Sequence, residues 1–489
     1  MGKHSSAKCE KVSGPSLFDL RIRLAASQAT SMVSRRSTTR RVGAAAGGLL
    51  GLAFLPLAIA NADEWTITPD PSPTNVETIT GIYGHGFEGG DTAPPAVEGS
   101  LQGDQTFDYT DTLTTDSGTF YGYESTSNDG LGDINTEVYV ASDVTGTGGP
   151  SVGSVFDTYT YDDGLFSSVY SAIPNGNGTA TVTDTLVTPT GNIAIPTTFD
   201  AADGLIADAD GASIGTAGDE IIPVGSQATN AISGIPPLTV ALQGTQMFDV
   251  DNAGGTHLGS FPAVDTTTTD GAGTYTEAVL ATGDSTDGSI TDGSIFNTIN
   301  FFGLDSYYSD IVPASGSGAD TITETISSDL GSYTIPVTFD AAEAEGISNA
   351  DLTLPNGLTL DPTDGLTFTG INGLPPVDVG VQGTQDFDYT DGPLAGNFTA
   401  DVTNTLDEFN DSTETILVTS SSGSDLPAGS EFEIVNFGNG FESIYSDTAS
   451  TAAGGDTITD TFVTPFGDIP LTPAFDASAG LAELFTSMG

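Results

Sequence analysis

The chain has 489 residues, 66 acidic against 9 basic side chains, and a formal net charge of −57. All nine cations lie at or before Arg41, so nothing beyond that point clamps phosphate, and nucleic acid and anionic lipid are excluded as charge-held partners. The same absence excludes Schiff-base and P-loop lysine chemistry from the rest of the chain.

Residues 42–60 form an uncharged apolar run behind the pairs Arg35-Arg36 and Arg40-Arg41. The run ends at Ala60-Asn61-Ala62, a small-residue cleavage site, and Pro56 interrupts a helix just before it. This pattern predicts a secretory signal peptide over residues 1–62, with Met32 as an alternative start, cut at Ala60/Ala62. A retained transmembrane anchor is disfavoured by Pro56 and the glycines. The only cysteine, Cys9, lies in the leader, so the mature chain is expected to carry no disulfide and no lipid-bearing cysteine. The last residues, Glu483 to Gly489, carry no sorting signal. The expected product is secreted, or held on the cell envelope non-covalently, with no transmembrane segment after cleavage. The leader contributes +7, which leaves −64 on residues 63–489 with His85 and His257 as the only potential cations.

The mature region repeats one unit three times. An apolar-Gln-Gly-x-Gln-x-Phe-Asp string occurs at Leu101–Asp108, Leu242–Asp249 and Val381–Asp388. Further anchors follow in the same order: Thr-Glu at 136, 276 and 413, Tyr-Ser at 170, 308 and 445, and a closing Phe-Asp-Ala at 199, 339 and 475. The spacing between copies, 141 and then 139 residues, is that of a domain rather than a solenoid repeat. The expected divisions are 63–218, 219–350 and 351–489, with Asp/Gly/Pro-rich junctions at 208–220 and 355–365.

Within each copy the periodicity is that of strands. In Leu101–Tyr109 the odd positions are Leu, Gly, Gln, Phe and Tyr, and the even ones Gln, Asp, Thr and Asp. Successive side chains of a strand point to opposite faces, so one face is apolar and the other polar and acidic. With 62 glycines and 26 prolines for turns, each copy is expected to be all-β, an antiparallel sandwich or barrel. Segments such as Phe475–Phe485 invite a short closing helix.

Chemistry-bearing candidates are few. Gly149-Pro150-Ser151-Val152-Gly153 matches a nucleophile elbow in letters, but no helical pattern follows, so it reads as a turn. Asp116-Ser117-Gly118 resembles an aspartic-protease motif and reads as a hairpin tip. Glu137, Glu277 and Glu414 recur and read as three equivalent ligand contacts or as solvent-facing acids, the second favoured. Gln105, Gln246 and Gln385 sit on the apolar parity, where an amide needs partners. Each either bonds backbone beside a bulge or lines a small-ligand cavity. Asp208, Asp210, Asp249 and Asp251 offer oxygen ligands for Ca²⁺, although counting from Asp208 an EF-hand fails at Ser213. No other cofactor is suggested.

The leader phrases Ala53-Phe54-Leu55-Pro56-Leu57-Ala58 and Ala60-Asn61-Ala62-Asp63-Glu64, with Thr464–Pro470, resemble uncharacterised exported acidic repeat proteins of mycobacteria and other actinobacteria. That resemblance implies a secreted or envelope location and carries no active site. The favoured function is a non-catalytic surface or extracellular interaction and structural module, with a cationic surface, protein or glycan as partner. Two other readings stay open: a carboxylate-dependent hydrolase of polysaccharide, and a barrel for small apolar ligands. Because no Lys or Arg follows Arg41, trypsin should leave residues 42–489 uncut even in denaturant. Tryptic peptides from within that range, seen by mass spectrometry, would contradict this.

Overall fold

The computed structural model describes residues 59–471, apart from 61–64, 71–77, 86–97, 197–213, 450–456 and shorter loop stretches of one to five residues. The leader up to residue 58, Ala62, Asp208, Asp210 and the Phe475–Phe485 segment therefore lie outside the described residues. Residues from Phe54 onward form one compact unit.

Each sequence copy forms one antiparallel meander. The first contains β1 (Ile59–Ala60), β2 (Trp65–Pro69), β3 (Thr78–His85), β4 (Glu98–Asp111) and β5 (Ser117–Asn128). It continues with β6 (Ile134–Ser142), β7 (Val155–Thr160), β8 (Ser167–Pro174), β9 (Ala180–Thr188) and β10 (Gly191–Ala194). The second contains β11 (Ile214–Thr216), β12 (Asp219–Ile235), β13 (Thr239–Asp251), β14 (His257–Asp270) and β15 (Tyr275–Ala281). It ends with β16 (Ile295–Phe301), β17 (Leu304–Ile311), β18 (Thr321–Ser328) and β19 (Gly331–Ile335), followed by the short helix α1 (Glu343–Ile347).

The third contains β20 (Leu352–Thr353), β21 (Leu358–Pro362), β22 (Thr367–Leu374), β23 (Asp378–Asp391) and β24 (Leu394–Asp407). Its remaining strands are β25 (Ser412–Ser421), β26 (Glu431–Asn436), β27 (Glu442–Thr448), β28 (Thr457–Val463) and β29 (Ile469–Pro470). The all-β fold expected from the alternation is what forms, and α1 is the closing helix in copy two. The 355–365 stretch is not a junction, because it carries the turn and strand of the β20–β21 hairpin. Ala60 of the expected cleavage site pairs with Thr66 in β1. No helix among the described residues is long and apolar enough to cross a membrane.

The recurring Gln-Gly has a steric cause. β2 and β3 lie end to end along β4, and β21 and β22 do so along β23, while β12 spans both places beside β13. The flanking strand comes so close that a Cβ on Gly244 would sit 2.5 Å from the Ala228 carbonyl, and one on Gly383 2.4 Å from that of Thr367. Only glycine fits there. One residue further along, the flanking strand bulges in all three copies, at 79/81, 229/231 and 368/370.

These bulged strands join the sheets. β12 packs on β4–β6 of the first sheet, β22 on β13–β15 of the second, and β3 on β23–β25 of the third, so the contacts close a ring. Tyr123 of the first sheet donates its hydroxyl to the Thr229 carbonyl. The Asn230 amide, on the bulge of β12, donates to the Thr369 carbonyl on the bulge of β22 at 3.2 Å. One core joins Val155, Tyr170 and Ala172 to Ile232, Val240 and Leu242 of the second sheet. A larger one joins Val264, Leu280, Ile295 and Tyr308 to Leu360, Ile371, Phe387 and Phe398 of the third.

Phe387 stacks on Phe398 with centroids 5.0 Å apart, both buried. Phe387→Ala is expected to cost about 3–5 kcal/mol. The only tryptophan, Trp65, reports from the first sheet. If the three sheets unfold as one unit, the urea midpoint read from Trp65 fluorescence falls in this third-sheet variant. An unchanged midpoint would mean that the sheets unfold independently.

Candidate functional site

Antiparallel register brings one polar row across each sheet. In copy one it runs Gln102, Ser125, Glu137, Asp157, Tyr170, Asp184, each directly opposite the next. Copy two has Gln243, Thr266, Ala278, Asn297, Tyr308, Glu324. Copy three has Gln382, Thr403, Thr415, Glu433, Tyr445, Asp460. Directly opposed residues share a face, so the row lies on the side of the Gln-Gly strand that carries Gln102, Gln243 and Gln382. The sequence reading took that side as the polar, acidic face. Here the end of it that bears the row is interior, because the neighbouring sheet covers it and the three row glutamines are each 1% exposed, while further along the same side Asp108, Asp249 and Asp388 reach the surface.

This geometry corrects the reading of the recurring glutamates. Glu277 and Glu414 lie opposite Thr267 and Asn404, whereas the residue opposite the corresponding Thr126 is Thr136. The Thr-Glu anchor of copy one is therefore slipped by one residue, and one residue reverses the face. Glu137 faces the polar row, while Glu277 and Glu414 face the apolar side. None of the three is solvent-facing: all are buried, and both Glu137 carboxyl oxygens lack a hydrogen-bond donor. Tyr275 donates to Glu277 at 3.5 Å.

The other glutamines bond locally, as the bulge reading expects. Gln246 donates to the Gly225 carbonyl at 2.8 Å, and Gln385 to that of Asp364 at 2.7 Å. Gln105 instead donates to the buried Glu124 carboxylate at 2.6 Å. Gly149–Gly153 lies in the loop between β6 and β7, strand to strand, and Asp116 lies in the β4–β5 turn. The residues missed were Gln102, Gln243 and Gln382. Their signal was present, an uncharged amide repeated at one place on a supposedly acidic face.

On the outer surface, the closing acid of the Gln-x-Phe-Asp string holds one register in all copies. Asp108 lies opposite Thr119, Asp249 opposite Ser260 and Asp388 opposite Asn397. Ser260 donates to Asp249 at 2.6 Å. Asp249 and Asp251, read from sequence as metal ligands, flank the imidazole of His257 at 3.6 and 3.5 Å. In copy three a cleft of about 410 Å³ opens beside Asp386 and Asp388, walled by Thr363, Asn397 and Thr399.

No protein-family model matches the chain, and no curated protein is similar to it. The arrangement itself has to carry the chemistry. Burial pushes Glu124, Asp265, Asp401, Glu414 and Glu433 up to about 7. Burial, with Glu433 and Asp447 beside it, pushes Glu431 up to about 8. Glu137 is raised by burial and by Asp157, and Asp157 by burial and by Asp184. With no Lys or Arg beyond residue 41 to pair with them, burial shifts the interior acids toward the protonated form.

A carboxyl whose folded pKa exceeds its unfolded value stabilises the fold fully below about pH 4 and loses that stabilisation as pH rises through the folded value. The window here is pH 4 to 8. The melting temperature should therefore fall by more than about 10 °C between pH 5 and pH 8.5. Glu414→Gln should flatten that slope, stabilising by roughly 2 kcal/mol at pH 8 and by little at pH 5. Scanning calorimetry across pH checks both, and a melting temperature rising toward pH 8 would refute the account.

Proposed function

We propose that this is an exported, non-catalytic interaction and structural module that engages a cationic partner on an extracellular or envelope surface. The observation that carries this reading is the register of Asp108, Asp249 and Asp388. A carboxylate at the surface, with a hydroxyl or amide opposite, is repeated in three linked sheets. Three weak equivalent contacts on one body gain through effective concentration what none has alone. The leader and the charge of −64 on residues 63–489 support an exported acidic role.

Hydrolysis of polysaccharide draws less support. Paired carboxylates must flank a substrate, and Glu137, Glu277 and Glu414 are all buried. The Asp386/Asp388 cleft belongs instead with the surface contacts, since its equivalents include two of the three recurring acids.

Binding to a poly-lysine surface and to a polysaccharide panel, at about 0.15 M salt, tests the proposal. Asp108→Asn, Asp249→Asn and Asp388→Asn should each weaken polycation binding about 3-fold, and the triple variant about 100-fold. Equal binding by the triple variant would leave overall charge as the cause and sink the three-site reading.

A further inference from the structure

Each meander ends on an outer strand, β10 in copy one, β19 in copy two and β29 in copy three. Register makes the three equivalent. The Ile195 amide donates to the Asp184 carbonyl and that of Leu471 to the Asp460 carbonyl, both at 2.8 Å, and Ile335 lies opposite Glu324. Among the described residues no strand pairs with the far side of any of them. Each carries two apolar residues two places apart, hence on one face: Ile193 and Ile195, Tyr333 and Ile335, Ile469 and Leu471. Ile193, Tyr333 and Ile469 are 55%, 70% and 51% exposed.

A strand edge left in water is ordinarily blunted by charge or by proline. Residues 191–195 and 331–335 hold neither, in a region whose net charge is −64. Copy three differs, because its edge has both Asp468 and Pro470. Along a strand the N–H and C=O groups of successive residues point to alternate sides. Those of Ile195 and Leu471 point inward, so those of Ala194 and the carbonyl of Pro470 point outward, and register puts Thr334 at the same place. Ser332 points outward with Thr334. Proline has no N–H to give. The edges of β10 and β19 are therefore open to pairing, and that of β29 is closed.

We infer that β10 and β19 each accept an added β-strand from a basic, extended polypeptide, and that β29 does not. This rests on the cationic partner proposed above and specifies its form. Backbone hydrogen bonds to Ala194, or to Ser332 and Thr334, supply affinity, and apolar side chains at alternate positions of the incoming strand lie beside Ile193 and Ile195 or beside Tyr333 and Ile335. Charge selects the occupant. A second copy would set −64 against −64, and residues 63–489 have no Lys or Arg to offer one another. A lipid surface would take the apolar side chains and leave the outward backbone groups without partners. A strand flanked by lysine or arginine meets the needs of backbone, apolar pair and charge together.

The probe is a synthetic peptide of alternating valine and threonine between two pairs of lysines. Its control has the same sequence with every central amide N-methylated, so charge is kept and neither edge can pair. Titrated into the full chain in about 0.15 M salt, the peptide should saturate at two per chain and bind about 10-fold tighter than the control. Ala194→Pro removes only an outward N–H and should leave one site; with Thr334→Pro added, none should remain. Poly-lysine binding should stay unchanged in both, since Asp108, Asp249 and Asp388 are untouched. Circular dichroism and Trp65 fluorescence verify folding, and the comparison of peptide with control on the unaltered chain needs no variant. A chain that binds poly-lysine but takes peptide and control equally would overturn edge pairing and leave the polycation reading standing. Three peptides per chain would refute the closure of β29. Binding to phosphatidylcholine vesicles that is lost in Tyr333→Ser would assign these edges to a lipid surface and overturn the inference.

Discussion

The structure depends on burying carboxylates where no lysine or arginine can pair with them. Glu137, Asp157, Asp310 and Asp447 are each at most 1% exposed, in a region whose only potential side-chain cations are two histidines. Taking an ionised carboxylate out of water costs far more than a surface contact returns, so such a group either takes a proton or recruits an external cation. The rows of copies one and three show the first solution, since burial raises Glu137, Asp157 and Glu433 toward the protonated form.

That burden follows from how the sheets meet. A meander with one apolar and one polar face would ordinarily leave the polar face wet. Here each bulged flanking strand lies on the next sheet and covers its polar row, so strands such as β7 are buried on both sides. The glycines after Gln243 and Gln382 permit the close approach, and Asn230 joins one bulge to the next. Internal repetition thus becomes internal assembly: three copies of one chain segment meet as subunits do, through equivalent surfaces.

The outer features are spread differently from the inner ones. The surface acids Asp108, Asp249 and Asp388 persist in all three copies, as a multivalent contact requires. The buried acids are not repeated in this way: at the places of Glu137 and Asp157, copy two has Ala278 and Asn297 and copy three has Thr415 and Glu433.

The sequence by itself determined the three copies, their β-strands, the hairpin tips at Asp116 and Gly149, and the acid excess, because period-two alternation and turn chemistry are local properties. The role of Gln246 and Gln385 was legible for the same reason, since each amide bonds nearby backbone, Gln246 on the adjoining strand β12 and Gln385 in the loop between β21 and β22. Only the tertiary structure decided which polar face is interior, and that the Glu137 anchor is one residue out of step with Glu277 and Glu414. Both depend on strand register and on which sheet covers which, and these are set by contacts between residues far apart in the chain. A charge count cannot distinguish an acid in water from one beneath a neighbouring sheet.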